Sequence, residues 1–349
     1  MHIARASFLL SPSWIADRMA RTAGVLGASL FVLFVSIEGC SAPKSQVTYN
    51  AGEYQRILDH QKAGLALPPE ESSSTSKDMS PQEIQRLGDL YLQQGNPAMA
   101  IVQYQKAAEA DPSLFRVHLR IGDMFLKKGL PQDAMQHFQE VLKHDDHDAL
   151  ALEGLGQAYF RMGKEEEAET AFRKSIALQP DRWQTHNFLG ALLDRQKRHQ
   201  DAIAEYEEGL RLRPNEATLH NNIGLGYYLL GRYEDAVRSF QRALLTGSAQ
   251  AKIHNNLGLA LAKLNRYHDA LESFRHGSTE EEAYNNLGVF YLSSGEAGNA
   301  VACFKKAIEI STRYYDKAND NLSVAKRELE KRNNTKPDSS IATPSTCPS

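Results

Sequence analysis

The sequence predicts an all-α protein, built as a stack of antiparallel helix pairs. Three observations carry that expectation. A frame of Leu or Ile, then Gly, then an apolar residue three positions on recurs at a spacing of 34 residues. Each copy is followed by an Ala and, four residues later, an aromatic residue. Gly and Pro fall at regular places between these frames. A period of this length marks a repeat array, in which each unit buries its apolar face on its neighbours. The stretch from Ala217 to Ala236 shows the unit: one helix, a turn, and the start of a second helix.

Composition bounds the function. The 349 residues include 40 Lys+Arg and 43 Asp+Glu, for a net charge of -3. Nucleic acid is not expected as a partner, because phosphate binding needs a concentrated basic face. The three cysteines, Cys40, Cys303 and Cys347, form no CxxC and have no paired spacing. Neither a zinc ribbon nor a disulfide framework is therefore expected.

Residues 1–39 read as a targeting segment. Ala23 to Ile37 carries no charge and follows Arg5, Arg18 and Arg21. That run is short for a bilayer span, which needs about 20 apolar residues. Its basic flank and length fit a secretory signal, and a start at Met19 would make that signal compact. The run ends Ile37-Glu38-Gly39-Cys40-Ser41. Ile37, Gly39 and Cys40 resemble a bacterial lipobox, which implies lipidation at Cys40; Glu38 departs from the pattern. Ser41 is compatible with outer-membrane sorting. An ordinary signal or an uncleaved anchor with a chance Gly-Cys is the alternative. Residues 40–80 then form a lipidated N-terminus and tether. Leu67 to Ser80 is rich in Pro and Ser and has little to bury.

Ser80-Pro81 supplies an N-cap and a first-turn proline, and the repeats begin there. The first helices carry Leu87-Gly88-Tyr91, Ile121-Gly122-Phe125, Leu155-Gly156-Tyr159, Leu189-Gly190-Leu193, Ile223-Gly224-Tyr227, Leu257-Gly258-Leu261 and Leu287-Gly288-Tyr291. The second helices carry Ala100/Tyr104, Ala134/Phe138, Ala168/Phe172, Ala202/Tyr206, Ala236/Phe240, Ala270/Phe274 and Ala300/Phe304. Each shows the stripe of a half-buried helix. Gly95, Gly129, Gly163, Gly231 and Gly295 sit where the turn needs a left-handed residue. Pro112, Pro180 and Pro214 fall between repeats.

This pattern resembles the tetratricopeptide repeat. The resemblance covers 81–313 as seven repeats, near 81–114, 115–148, 149–182, 183–216, 217–250, 251–280 and 281–314. It implies a solenoid, a right-handed superhelix of antiparallel helix pairs whose first helices line a concave groove. Lys197 and Asn265 replace the turn glycine, and Gly209 and Gly277 replace a usual Ala. Gly258 to Gly288 spans only 30 residues, so the sixth repeat is short and its second helix is expected to be truncated. Residues 314–332 continue as a capping helix with Ala318, Leu322, Ala325 and Leu329 on one face. Residues 333–349 read as a disordered tail.

No HExxH, GxSxG or Walker loop is present, so neither an enzyme nor a cofactor is expected. His118, His186, His220 and His254 recur at one position of the first helix, as a metal or pH-sensing row or as packed inter-helix histidines. Successive rungs are separated by about 8–10 Å, too far for one ion. The loop His144 to Asp148 holds ligand-type residues but also reads as a solvated turn. Cys303 is expected to pack, and Cys347 has no evident role.

The candidate binding surface lies in the fourth to seventh repeats. Asn187, Asn221, Asn255 and Asn285 share one position, and Asn222, Asn256 and Asn286 the next; both are expected to face the groove. A row of amides can pair with the backbone of an extended peptide, as in other tetratricopeptide superhelices. Packing against the Leu-Gly pair is the equal alternative. Leu225, Tyr228, Leu259, Val289 and Leu292 would add apolar pockets. Gln85, Arg86, Leu119, Arg120 and Glu153 give the earlier repeats a different, charged surface. No repeat has the Lys of the chaperone-tail clamp in place of Asn187, which disfavours a cytosolic co-chaperone. Leader, tether and array together resemble envelope lipoproteins of pilus assembly, type IV pilotin-like or tight-adherence. That resemblance implies a secretin-like or other assembly partner and an outer-membrane, periplasm-facing location. A general envelope scaffold and a cytosolic adaptor are the alternatives.

Overall fold

The computed structural model describes residues 79–247, 251–313, 315–335 and 346–348. The leader, Cys40 and the tether up to residue 78 lie outside the described residues. Among those described, every regular element is helical and no helix is long and apolar enough to cross a membrane. Two compact units follow one another, the first ending at Pro180 and the second starting at Asp181.

The first unit holds three helix pairs: α1 (Pro81–Gln93) with α2 (Pro97–Ala110), α3 (Val117–Lys128) with α4 (Pro131–His144), and α5 (Ala149–Met162) with α6 (Glu165–Leu178). Ser80 opens it with a capping box: its hydroxyl accepts from the Glu83 amide at 3.3 Å, and the Glu83 carboxylate accepts from the Ser80 amide at 2.7 Å. Two N-H groups that would otherwise be orphaned are thereby satisfied. Asp111-Pro112 breaks the first repeat with a 3-10 turn over Pro112–Leu114. Asp148, buried, caps α5 through the Ala151 amide at 2.9 Å and takes the Arg116 guanidinium at 2.6 Å.

The second unit contains α7 (Trp183–Arg195) with α8 (His199–Leu212), α9 (Ala217–Leu229) with α10 (Tyr233–Leu245), α11 (Ala251–Lys263) with α12 (Tyr267–Gly277), α13 (Glu280–Ser293) with α14 (Ala297–Ile310), and the terminal α15 (Asp316–Thr335). Within this unit the first helices of consecutive pairs approach one another, and they do so more closely than the second helices do. The concave side is therefore built by α7, α9, α11 and α13.

One contact generates the periodicity. The aromatic residue of each second helix lies flat on the glycine of the first helix of the same pair. At Gly224, an added Cβ would sit 2.6 Å from the Phe240 ring. Phe240 is 1% exposed, and its equivalents Tyr104, Phe138, Phe172, Tyr206, Phe274 and Phe304 are equally enclosed. The glycine is thus dictated by the ring, and the ring by the need to fill the space between helices.

The sixth repeat departs where the sequence is short. α12 has 11 residues where α10 has 13 and α14 has 14. Its last residue, Gly277, packs so tightly on α11 that a Cβ would meet the Ala251 carbonyl oxygen at 2.7 Å. Thr279 and Glu282 then start α13 with a second capping box.

The turns behave as the glycine pattern predicts. Gly231 has a φ of 78°, and Lys197 and Asn265 hold the same left-handed backbone at 64° and 59°. Asn tolerates that region; Lys does not. Lys197→Gly is therefore expected to stabilise the protein by about 0.5–1 kcal/mol, read as a raised urea midpoint.

Two expectations about the C-terminus are corrected. α15 runs to Thr335, past the boundary at 332, with Ala318 and Ala325 fully buried. Residues 346–348, assigned to a disordered tail, are placed against α14, because Cys347 is disulfide-bonded to Cys303. The two Cα atoms lie 5.0 Å apart across a separation of 44 residues. Spacing arguments had no way to find this pair, since neither cysteine belongs to a short motif.

Candidate partner-binding face

The asparagines of the second unit form a zipper between consecutive first helices. Asn222 Nδ2 donates to Asn187 Oδ1, Asn256 Nδ2 to Asn221 Oδ1, and Asn321 Nδ2 to Asn285 Oδ1, each at 2.9 Å. The leading members are enclosed: Asn187 is 6% exposed, Asn221 5%, Asn255 9% and Asn285 4%. Their expected exposure to the groove is corrected. They sit between neighbouring first helices, where the next repeat's asparagine covers them. Asn222, Asn256 and Asn286 are partly exposed.

Asn321 belongs to α15 and was not singled out in the sequence. Its signal is the Asn321-Leu322 dipeptide, which copies Asn222-Ile223, Asn256-Leu257 and Asn286-Leu287. The terminal helix thus presents the same donor as a further first helix would.

The zipper is interrupted once. Asn255 has no partner for either Nδ2 or Oδ1, although both atoms are buried. The short sixth repeat places Gly277 against it, so close that a Cβ there would lie 2.8 Å from the Asn255 Oδ1. A buried amide without partners costs about 1–3 kcal/mol. Asn255→Ala is therefore expected to leave stability unchanged or raise it. Asn221→Ala, which orphans the Asn256 amide, is expected to cost about 1 kcal/mol. Denaturant midpoints of the two variants check the contrast.

Around the zipper, Leu225, Leu259, Val289 and Leu292 are partly buried. Tyr228 packs edge-on to Tyr233, with centroids 5.4 Å apart, and burial pushes its phenol well up. The face therefore combines amides with apolar and aromatic surface. The equivalent face of the first unit is charged: Arg120 binds Asp89 at 2.6 Å, and Asp89 also accepts from the Tyr104 hydroxyl at 2.6 Å.

The four histidines do not form a row. His118 meets His137 with Nδ1 atoms 2.9 Å apart, His186 meets Glu205 at 2.8 Å, His220 donates to the Pro214 carbonyl at 2.9 Å, and the His254 and His276 rings lie 5.2 Å apart and tilted. Burial pushes the His137 imidazole down to about 4, helped by His118, and Glu140 opposes the shift. A neutral form favoured by folding makes stability fall as pH drops from about 6.5 to about 4, since the unfolded chain takes up the proton first. His137→Gln is expected to flatten that slope in thermal melts. Asp145, Asp146 and His147 cluster in an exposed loop, where the Asp145 carboxylate accepts from the His147 amide.

With the fold described, its relationships can be stated. The family of the cilia and flagella-associated protein 70 C-terminal domain matches residues 49–283. The chain belongs to this family. A tetratricopeptide repeat family matches residues 281–314. No curated protein matches. Among solved structures, a tetratricopeptide repeat protein from Parabacteroides merdae is similar at a TM-score of 0.52 and 15% identity, covering 70% of this chain and 98% of that one. That likeness shows the fold alone. PilF of Pseudomonas aeruginosa is similar at a TM-score of 0.49 and 17% identity, covering 61% and 97%. MamA from Desulfovibrio magneticus RS-1 is similar at 0.44 and 24%, covering 48% and 96%. The chain is a tetratricopeptide array, a fold that generally serves as a non-enzymatic, protein-binding scaffold.

Proposed function

We propose that this protein is a non-enzymatic adaptor that holds an extended segment of a partner protein on the amide and aromatic face of its second unit. The observation that carries the reading is what the zipper leaves over. Among the described residues, Asn286 has no side-chain partner and Asn256 keeps its Oδ1, whereas Asn187, Asn221 and Asn285 each already accept from the asparagine of the next helix. A free amide can pair with a peptide group whatever side chains flank it. Tyr228 and the neighbouring leucines supply apolar anchors beside it.

We further propose a lipid anchor at Cys40 and a place in the bacterial cell envelope, facing the periplasm, with an assembly component such as a pilus secretin as partner. The lipobox-like run before Cys40 and the polar tether support this. The Cys303–Cys347 bond supports it too, since such bonds persist in oxidising compartments. Fatty-acid analogue labelling of wild type and Cys40→Ala tests the anchor: labelling lost in the variant is expected, and unchanged labelling overturns the lipoprotein. Asn256→Ala with Asn286→Ala is expected to abolish partner recovery from membranes with the fold intact. Wild-type recovery would reject the face.

A further inference from the structure

The C-terminal disulfide does more than close a loop. Thr346, Cys347 and Pro348 form one wall of an open cleft of about 450 Å³, whose other walls are Asn265, Tyr267, His268, Tyr291 and Asn299. The Thr346 amide donates to Asn299 Oδ1 at 3.2 Å. Cys303, the partner of Cys347, is fully buried in α14. The segment is therefore held by a backbone hydrogen bond and a covalent bond, across an open cleft from the Tyr267 and Tyr291 rings. Main-chain hydrogen bonds beside side-chain pockets are the means by which a groove holds an extended peptide.

The walls are fixed by a feature peculiar to this repeat. Asn265 occupies a left-handed turn position at φ 59°, and its Oδ1 accepts from the Tyr267 hydroxyl at 2.8 Å. The Tyr267 and Tyr291 rings lie 4.8 Å apart. A glycine, as at Gly231, would satisfy the backbone but remove this hydrogen bond to Tyr267.

We propose that the surface residues 346–348 cover, beside this cleft on the turn side of α12–α14, is a peptide-docking site that they occupy in the resting chain, and that the Cys303–Cys347 bond is its lock. The lock opens with a dithiol reductant. A thiolate attacks the sulfur of Cys347, the more exposed of the two; the S–S bond breaks, and Cys303 leaves as a thiolate that takes up a proton. The second thiol of the reductant then resolves the mixed disulfide. Two electrons and two protons pass to the cysteines, and the reductant leaves as a disulfide. With the lock open, the site accepts an extended segment of like chemistry: a backbone donor for Asn299, then a small side chain and a proline facing the tyrosines. The site is separate from the asparagine face.

The test uses the full chain and a labelled synthetic peptide of residues 341–349 with Ser in place of Cys347. Oxidised wild type, reduced wild type and Cys347→Ser are titrated with it. Binding to the reduced and Cys347→Ser chains at least tenfold tighter than to the oxidised chain is expected, lost on Asn299→Ala. Hydrogen exchange at the Thr346 amide is expected to be slow in the oxidised chain and at least tenfold faster after reduction. Equal binding to oxidised and reduced chains, or no binding to the reduced chain together with an exchange rate that reduction leaves unchanged, overturns the proposal.

Discussion

Phe240→Ala is expected to lower stability by about 3–5 kcal/mol, the cost of emptying a fully buried aromatic site. The ring is 1% exposed and lies on Gly224, with Ala236 fully buried one turn away. Nothing nearby can move in, because the first helix presents only a glycine there. In a repeat array each unit is stabilised mainly by its neighbours, so the loss is felt locally. The variant should unfold in two steps, with helices beyond α10 separating from those before α9, and each step should have a smaller denaturant dependence than the wild-type transition. The reverse change, Gly224→Ala, drives a methyl into the same ring and is expected to cost about 1–3 kcal/mol. Urea titrations of both variants, followed by circular dichroism, check these outcomes.

Reduction of the Cys303–Cys347 bond is expected to cost the C-terminal end about 2–4 kcal/mol. The bond closes a loop that includes α15 and about the last two turns of α14, across 44 residues of sequence. Most of the gain comes from restricting the unfolded chain, so a serine at position 347 should give the same loss as reductant. α15 and its Asn321–Asn285 contact are the elements expected to exchange faster in the reduced chain. Amide exchange with and without reductant reads this directly. A loss confined to the first unit would contradict it.

The fold was legible because its rules are local and repeated. Ile223-Gly224 and Ala236-Phe240 state which surfaces meet, and the six other copies state it again. The four-residue deletion before Gly288 announced the shortened α12. The candidate face was less legible. Asn221 and Asn222 were visible as a pair, but which of them is covered depends on where the next first helix lies, and no pattern within one repeat reports that. Asn255 reads like Asn221 in sequence and differs only because Gly277 ends α12 against it. Asn321 and Cys347 act across long separations, and each came to light only when the terminal helix and the tail were placed against their partners.

The central claim is that a partner's extended segment lies on the first-helix face of the second unit. A photo-crosslinking amino acid placed at Leu259, and separately at the strongly exposed Leu245 on α10, tests it most directly in membranes carrying the full chain. A single protein adduct from position 259, absent from position 245 and lost when Asn256 and Asn286 are both changed to Ala, is the predicted result. Adducts from position 245 alone, or from 259 regardless of the two asparagines, would contradict the account.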